Sequence, residues 1–468
     1  MDQIVLTNRT FDDLEIGDSA TLMRTITLND IEMFATVSGD YNPAHLDAKF
    51  AAGDIFGHII AHGMWTAGMV SAVLGTKLPG PGTIYLGQDL KFRKPVSPGD
   101  TITATVTVQE KRPEKRIVLF DTRCSNQRGE DVLTGTATVI APAEPISWPR
   151  MALPDVSVQH HDRFDAIVTE ARGLPMLRMA LVHPCSPEAI LAAVEIRDEG
   201  LLEPLLIGPE AKIRSAAAAA GVSLEGFEIE PAEHSHAAAA RAVELAVAGK
   251  VAIIMKGSLH TDELLGAVVA SGSGLKTDRR ISHVYVVDVP AYTKLLVVTD
   301  AAINIAPTLD HKRDICQNAV DLLHLLGNKQ PRVAVLAAVE TVNDKMPATL
   351  DAAALTVMAA RGQITGALVD GPLAFDNAIS MEAARTKGIV SSVAGQADIL
   401  LVPDLEAGNM LAKQLLYFAG ADAAALVLGA RVPIILTSRS DSLKVRIASA
   451  ALAKLVAARR IAESLAAR

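Results

Sequence analysis

The segment IIAHGMWTAGMVSAVL, residues 59–74, decides how the first part of this chain folds, because it is mostly apolar and has a helical period. The breaker run KLPGPG, residues 77–82, follows that helix. Runs typical of strands come next, separated by turn signals, and they cover residues 83–92, 101–108, 116–124 and 132–140. One long buried helix beside several antiparallel strands predicts an α+β fold in which the sheet wraps the helix.

The same apolar segment is about as long as the shortest membrane-spanning helices. It contains His62, Gly63 and Ser71, however, and it has no basic flank. Burial in a protein core is therefore the favoured interpretation, and no membrane partner is expected. Residues 1–18 are acidic and lack the basic and then apolar pattern of an export signal, so we expect no export.

The composition bounds the class of protein. With 468 residues the chain is expected to form about two to four domains. Its net charge of −9 argues against a nucleic-acid partner, because phosphate binding needs a concentrated basic face. Cys124, Cys185 and Cys316 are odd in number and form no CxxC pair, which predicts no disulfide framework and indicates a reducing, cytoplasmic location.

A proline-rich stretch divides the chain. Residues 141–164 contain four prolines and little periodicity. We place a linker at residues 144–165, between a first domain at 1–143 and a second at 166–468. In the second domain short β-branched runs alternate with Ala-rich helical stretches, which predicts an α/β region with a mainly parallel sheet.

A first group of polar residues, Asp40, Asn42 and His45, lies in a loop that glycine and proline make irregular, so that it can aim side chains into a cleft. An Asp/His pair that binds one water could activate it for addition across a double bond conjugated to a thioester. The same pair could deliver a proton to the alpha carbon. Backbone N–H groups at the start of the buried helix, near Gly63, could stabilise the enolate oxygen. The alternative is that Asp40 and Asn42 only form Asx turns and that His45 is a structural histidine.

The two blocks that hold these residues, 38–47 and 60–64, resemble the signature of the MaoC-like (R)-specific enoyl-CoA hydratases. The similarity spans about residues 10–140 and implies a hot-dog fold. It implies the following site residues: Asp40 and His45 as the catalytic pair, Gly63 as an oxyanion-hole amide, and Asn42 and His62 as substrate contacts. The competing possibility is a hot-dog module that only binds ligands or forms oligomers. The presence of both Asp40 and His45 argues against it.

A second group, Ser438, Arg439 and Asp441, follows the buried-type strand at residues 432–437 and opens the last helix. A strand that leads into a helix N-terminus is a place where α/β proteins bind anions. Hydroxyl groups, backbone N–H groups and a guanidinium suit a phosphate or an acyl phosphate. The alternative is that these serines and the aspartate only cap the helix.

Five blocks of the second domain occur in the order seen in phosphate acetyl- and butyryltransferases, with a closer likeness to the butyryl branch. They are residues 277–283, 300–304, 370–376, 403–409 and 437–442. The similarity covers about residues 166–468 and implies a two-subdomain α/β fold. It implies reversible transfer of a short acyl group between CoA and phosphate in a ternary complex, without a metal.

The resemblance also implies roles for single residues. Ser438 and Arg439 would hold the phosphoryl or acyl oxygen, and Arg280 is a second candidate for neutralising phosphate. Asp441 is the candidate base for the CoA thiol, since the acidic residue expected about seven positions after the serine is Val445 here. Further predicted substrate contacts are Lys256, Ser258 and Thr277.

The sequence therefore predicts a bifunctional enzyme that hydrates trans-2-enoyl-CoA to (R)-3-hydroxyacyl-CoA and exchanges a short acyl group between CoA and phosphate. Its expected partners are acyl-CoA, CoA, phosphate or acyl phosphate, and further copies of itself in a homo-oligomer. CoA is the only carrier expected, and the histidine pairs at 160–161 and 234–236 lack the further ligands of a metal site. The alternative is a hydratase with a non-catalytic C-terminal domain that senses acyl-CoA.

Overall fold

A computed structural model describes residues 5–154, 156, 158, 163–436 and 441–466. The chain forms two compact units, Met1–Val158 and Gln159–Arg468. The limits of the linker, residues 144–165, stay a prediction of the sequence. Within the described segments no helix is both long and apolar enough to cross a membrane.

The first unit combines short helices, one long helix and antiparallel strands. Its elements are β1 (Val5–Thr7), β2 (Ser19–Thr25), α1 (Leu28–Ser38), α2 (Pro43–Leu46), α3 (Ala48–Gly53), α4 (Gly63–Thr76), β3 (Ile84–Phe92), β4 (Thr101–Arg112), β5 (Ile117–Ser125), β6 (Asp131–Ile140) and β7 (Ser147–Pro149), with a 3₁₀ turn at Glu114–Arg116.

Five of these strands form one antiparallel sheet in the order β2-β4-β5-β6-β3, and β1 pairs with β7. Along β4 buried residues alternate with partly exposed ones, because successive side chains of a strand point to opposite faces. Val70 and Val73 of α4 are fully buried in the same core as Val106, Val118 and Phe120 of the sheet. The predicted α+β arrangement of a buried helix and a wrapping sheet is confirmed.

The second unit alternates helices with strands. Its elements are α5 (Arg163–Arg172), β8 (Leu177–Val182), α6 (Pro187–Asp198), β9 (Leu202–Gly208), α7 (Glu210–Ala220), β10 (Glu228–Pro231), α8 (Ser235–Val247), β11 (Ile253–Lys256), α9 (Thr261–Val269), β12 (Ser282–Asp288), β13 (Leu296–Thr299), α10 (Leu309–Leu325), β14 (Arg332–Leu336), α11 (Pro347–Ala360), β15 (Leu368–Leu373), α12 (Phe375–Ile379), α13 (Met381–Thr386), β16 (Ile399–Leu401), α14 (Leu405–Tyr417), β17 (Asp422–Leu428), β18 (Ile434–Ile435) and α15 (Leu443–Ala466).

All its strands belong to one sheet in the order β10-β9-β8-β11-β18-β17-β12-β13-β16-β14-β15. The strands from β10 to β18 are parallel and form a first block, and those from β13 to β15 are parallel and form a second block. β17 and β12 lie between the blocks, and their pairings with each other and with β18 and β13 are antiparallel. The predicted α/β fold with a mainly parallel sheet is confirmed.

Helix α15 connects two edges of this sheet. It has 24 residues and is therefore about 36 Å long at 1.5 Å per residue. Its middle, from Ala448 to Ala457, is buried, and the amine of the buried Lys454 donates to the Gly200 carbonyl at 3.2 Å. The small alanine side chains allow the helix to lie close to the sheet. Its length allows its two ends to reach opposite edges.

Candidate active sites

The loop between α1 and α3 is built by local turn chemistry. Gly39 ends α1 in the left-handed conformation, at φ 75°, which an L-residue adopts only at a cost. The Asn42 side chain caps α2 by accepting from the Ala44 N–H at 3.1 Å, and the Asp40 carboxylate accepts from the Asn42 N–H at 3.3 Å. The Asx turns that a purely structural role of Asp40 and Asn42 would require are thus present. They also hold the Asp40 carboxylate at the surface of the loop.

Two histidines meet behind this loop. The His45 ring lies 3.9 Å from the His62 ring, measured between centroids. His45 Nδ1 donates to the Ile60 carbonyl at 2.8 Å, so its Nε2 is the nitrogen left for chemistry. His62 Nε2 donates to the Asp40 backbone carbonyl at 3.1 Å. The sequence-predicted residues Asp40, His45 and His62 therefore come together.

His62 is the buried member of this group, with 2% of its surface exposed. Burial lowers the pKa of His62, although the hydrogen bond to Asp40 acts in the opposite direction. Its Nδ1 is buried and has no hydrogen-bond partner among the described residues. His62 is thus held neutral beneath His45. One ligand-capable atom from each of Asp40, His45 and His62 lies within 4.8 Å of the others, an arrangement that could hold a water or a metal ion.

A cavity of about 380 Å³ opens beside His45. Gly63 and Met64, the first residues of α4, line it, and no side chain caps this helix end. A Cβ at Gly63 would lie 2.7 Å from the Phe92 ring, so glycine permits that close approach. N–H groups at an uncapped helix start can stabilise a developing negative charge. Asn42 and the Asp40 side chain do not line the cavity, whereas His45 and Gly63 do.

Sequence reasoning missed the basic end of this cavity. Arg93 and Lys94 line it directly after β3. Arg93 Nε donates to Thr134 Oγ1 at 3.1 Å, and Lys94 pairs with Glu130 at 2.5 Å. Two adjacent cations at the end of a strand were the signal that could have identified them as candidate anion contacts.

In the second unit, candidate residues cluster where β8 and β11 end, at the carboxyl edge of the first block. Lys256 Nζ lies 3.4 Å from the Leu259 carbonyl, and the Ser258 N–H donates to the His183 carbonyl at 2.9 Å. A Cβ at Gly257 would lie 2.5 Å from the Val182 carbonyl oxygen, so the two strand ends touch through their backbones. Lys256 and Ser258 thus lie side by side at this edge.

A small cavity of about 30 Å³ lies between these strand ends and the start of α15. Lys256 and Ser258 line it together with Ser186, Glu188 and Arg446, three residues that sequence reasoning missed. The Ser258 hydroxyl is buried and has no hydrogen-bond partner among the described residues. Cationic groups and a free hydroxyl at a strand edge are suited to an oxyanion.

The predicted group after β18 is described only in part. Ser438 and Arg439 lie outside the described residues. Asp441 is partly buried. The pKa of Tyr285 is raised, mostly by burial of the ring and in addition by the charge of Asp441. Asp441 follows β18, which is parallel to β11, so it belongs to the same edge of the sheet as Lys256.

Thr277 and Arg280 lie at the other edge. Both precede β12, which runs in the same direction as β11, because β12 and β18 are each antiparallel to β17. The Thr277 hydroxyl donates to the Gly429 carbonyl at 2.5 Å, and Arg280 Nε donates to Asn304 Oδ1 at 2.7 Å. The structure therefore does not bring Thr277 and Arg280 together with Lys256 and Ser258.

Comparison with known proteins adds the family context. A family model described as "Phosphate acetyl/butaryl transferase" matches residues 233–454, and one described as "MaoC like domain" matches residues 16–128. The phosphate acetyltransferase of Rhizobium meliloti is 57% identical over 305 residues, 65% of this chain and 96% of that protein. The phosphate butyryltransferase of Clostridium acetobutylicum is 41% identical over 295 residues, 63% of this chain and 98% of that protein.

Among solved structures, a branched-chain phosphotransacylase from Enterococcus faecalis is similar with a TM-score of 0.54 and 31% identity, over 60% of this chain and 99% of that chain. Of the two curated relatives, the acetyltransferase is the more similar in sequence. The closer likeness to the butyryl branch that the motifs indicated is therefore not found in these two comparisons.

Proposed function

The chain belongs to the phosphate acetyl/butyryl transferase family and carries a MaoC-like hot-dog domain ahead of its transferase domain, and on this premise we propose that it is a bifunctional acyl-CoA enzyme. The transferase domain exchanges an acyl group between CoA and phosphate. The hot-dog domain hydrates trans-2-enoyl-CoA to (R)-3-hydroxyacyl-CoA. The transferase activity is supported above all by the identity of 57% over 96% of a phosphate acetyltransferase.

The hydratase activity is supported above all by the proximity of Asp40 to His45, within 4.8 Å between their ligand-capable atoms, and by the cavity that His45 lines. His45 Nε2 faces away from the Ile60 carbonyl that holds Nδ1, so it can accept a proton from a water that the Asp40 carboxylate also binds. The hydroxide adds to the beta carbon of the enoyl thioester, and the proton is returned to the alpha carbon. Neutral His62 keeps both groups in place by its hydrogen bond and its ring contact.

Addition to the beta carbon moves negative charge onto the thioester oxygen. The N–H groups of Gly63 and Met64, at the start of α4, are the donors available at the cavity wall for that charge. Phe56, Met64 and Phe92 supply apolar lining for the acyl chain. Arg93 and Lys94 would face the phosphates of CoA.

In the transferase domain the sulfur of CoA attacks the acyl carbon of an acyl phosphate. The new carbon–sulfur bond replaces the bond to the phosphate oxygen, phosphate leaves, and the thiol proton passes to a carboxylate, for which Asp441 is the candidate. Lys256, Ser258 and the predicted Ser438 and Arg439 would bind the phosphate oxygens. The family uses CoA as a substrate, and no metal cofactor is known for it.

The transferase half is tested by the release of free CoA thiol from acetyl-CoA and butyryl-CoA, with and without phosphate, in the full chain and in Ser438→Ala. We expect phosphate-dependent release that falls at least tenfold in the variant. No release from either thioester, with hydration intact, would contradict transfer and favour an acyl-CoA-sensing domain.

The hydratase half is tested by the loss of the enoyl absorbance of crotonyl-CoA in the full chain and in Asp40→Asn, with the stereochemistry of the product determined. We expect the (R)-alcohol and a large loss in the variant. A folded wild-type chain that binds crotonyl-CoA without hydrating it would instead favour a binding module.

A further inference from the structure

Two adjoining depressions lie where β11 and β18 begin, each with a volume of about 400 Å³. They share two side chains, Arg431 and Arg460. One depression is polar and also contains Arg279, and the other has an apolar wall. We call the combined feature the arginine groove, defined by Arg279, Arg431, Arg460, Val251, Val432, Pro433 and Ile461. Thr277, predicted above as a substrate contact, also lines its polar end, away from Lys256 and Ser258.

The guanidinium groups of the arginine groove outnumber its ion pairs. Arg279 pairs with Asp321 at 2.6 Å. Arg460 donates to the Ala430 carbonyl at 3.2 Å. In the part of the chain that the structure describes, neither Arg431 nor Arg460 forms an ion pair with a carboxylate. Asp278, the other acid lining the polar end, is exposed.

Arg460 is the least solvated of these cations. Burial lowers the pKa of Arg460 most, Asp321 and Glu463 act against this, and neighbouring Arg279 lowers it further. Removing a guanidinium from water without a carboxylate partner is costly unless an anion replaces the lost hydration. The polar end of the groove therefore holds three guanidinium groups against two carboxylates, Asp278 and Asp321, in a chain whose net charge is −9.

The arginine groove is remote from the edge that carries Lys256 and Ser258. Arg446 lines the cavity at that edge, and Arg460 follows it by 14 residues on the same helix, a separation of roughly 21 Å at 1.5 Å per residue. Val251 and Pro433 precede β11 and β18, whereas Lys256 ends β11. The two features lie at opposite edges of the first block.

The chemistry of the groove defines its ligand. Arginine forks match the oxygens of a phosphate group and bind it with charge-assisted hydrogen bonds. The adjoining wall of Val251, Val432, Pro433 and Ile461 can bury a short carbon chain. We propose that the arginine groove is a second anion site, distinct from the transfer site, that binds a phosphate group carrying a short alkyl or acyl chain.

Calorimetric titration of the full chain with butyl phosphate, without CoA, tests this proposal. Wild type is expected to bind two molecules per chain, one at the transfer site and one in the groove. Arg431→Gln changes an exposed side chain, and it is expected to weaken the groove site about tenfold or more, since hydrogen bonds to charged groups are the strong ones. Arg460→Gln is expected to do the same, and thermal unfolding checks that it folds.

Arg214→Gln is the matched control, because Arg214 is an exposed arginine of α7 that pairs with Glu210 at 2.6 Å, outside the groove. It should leave both binding events unchanged. Titrations with inorganic phosphate and with butyrate separate the contribution of the phosphate group from that of the carbon chain. Each of these ligands should bind the groove more weakly than butyl phosphate. Butyryl phosphate in place of butyl phosphate distinguishes an acyl phosphate from a phosphate ester.

Wild-type binding of one molecule that Arg431→Gln and Arg460→Gln leave unchanged would overturn the groove proposal. Binding of one molecule that these variants abolish would support it and would count against the transfer site instead. The two proposals therefore fail in different ways.

Discussion

The two candidate active sites are built in different ways. In the first unit Asp40, His45, His62 and Gly63 come from one continuous stretch, and a loop and the start of α4 suffice to bring them together. In the second unit the cavity residues come from Ser186, Lys256, Ser258 and Arg446, which only the strand order of the large sheet makes neighbours. The polar residues of the first site are close together in the sequence, whereas those of the second site are brought together only by the order of the strands.

The largest expected effect concerns the first site. His45→Ala should reduce crotonyl-CoA hydration by about 100-fold to 10,000-fold, the usual contribution of a general base. Phosphate-dependent thiol release should stay within twofold of wild type, because the described residues that line the second site all belong to the second unit. Both rates are measured on the same preparation.

The control for this change is Asn42→Ser, because serine also caps a helix start and Asn42 does not line the cavity. Hydration in Asn42→Ser should stay within a few fold of wild type. Equal losses in both variants would show that only the loop conformation matters, and would remove His45 from the chemistry.

The second expected effect concerns the site of the second unit, which depends on the close contact between the backbones at the ends of β8 and β11. Gly257→Ala should lower the free energy of unfolding of the second unit by about 2–3 kcal/mol and reduce phosphate-dependent transfer, because its Cβ would lie 2.5 Å from the Val182 carbonyl oxygen. Urea unfolding and the thiol assay measure the two changes.

Gly266→Ala is the matched control, since a Cβ there meets nothing within 4 Å in helix α9. It should stabilise the helix by about 1 kcal/mol, as alanine is the better helix former. If the two variants were equally stable, the close contact between the ends of β8 and β11 would not support the site.

The same contrast explains what the sequence could predict. The helix at residues 59–74 was recognisable from its period, yet α4 begins at Gly63. The reason is tertiary, because the N–H groups of Ile60 and Ala61 donate to the carbonyls of Ala44 and Val96. Composition and period predict that an element exists, and contacts from distant residues decide where it begins.

In the second unit the alternation of strands and helices predicted a mainly parallel sheet. It did not predict that β12 and β17 run antiparallel between two parallel blocks, since strand direction is settled by pairing partners far apart in sequence. This separation puts Arg280 and Lys256 at opposite edges, although both match the same family pattern. The strand predicted at 432–437 is described as Ile434–Ile435. It begins after Pro433, which has no N–H to donate to a ladder, and residue 437 lies outside the described residues.

The third expected effect is a pH dependence of stability to which the buried His283 of the second unit contributes. Burial lowers the pKa of His283 to about 4, from 6.5. Between pH 6.5 and 4 the unfolded chain binds a proton that the folded chain does not, so stability is lost as the pH falls through this window, by at most about 1.4 kcal/mol per pH unit. Urea unfolding of the full chain at pH 7, 6 and 5 measures the slope.

His283→Gln should flatten this slope, even though it lowers stability at pH 7 by changing a buried side chain. His236→Gln changes an exposed histidine and should leave the slope as it is in wild type. Identical slopes in wild type and His283→Gln would mean that this buried ring does not control the acid sensitivity of the large sheet.

The smallest expected effect separates catalysis from stability at the second site. The buried Ser258 hydroxyl has no partner among the described residues, and a buried hydroxyl without a partner is unfavourable. Ser258→Ala should therefore leave the free energy of unfolding unchanged or slightly higher, while transfer falls about tenfold if the hydroxyl binds a phosphate oxygen. Ser271→Ala, in the exposed loop after α9, should change neither quantity. Lower stability together with unchanged transfer would show that Ser258 packs the strand ends and does not contact substrate.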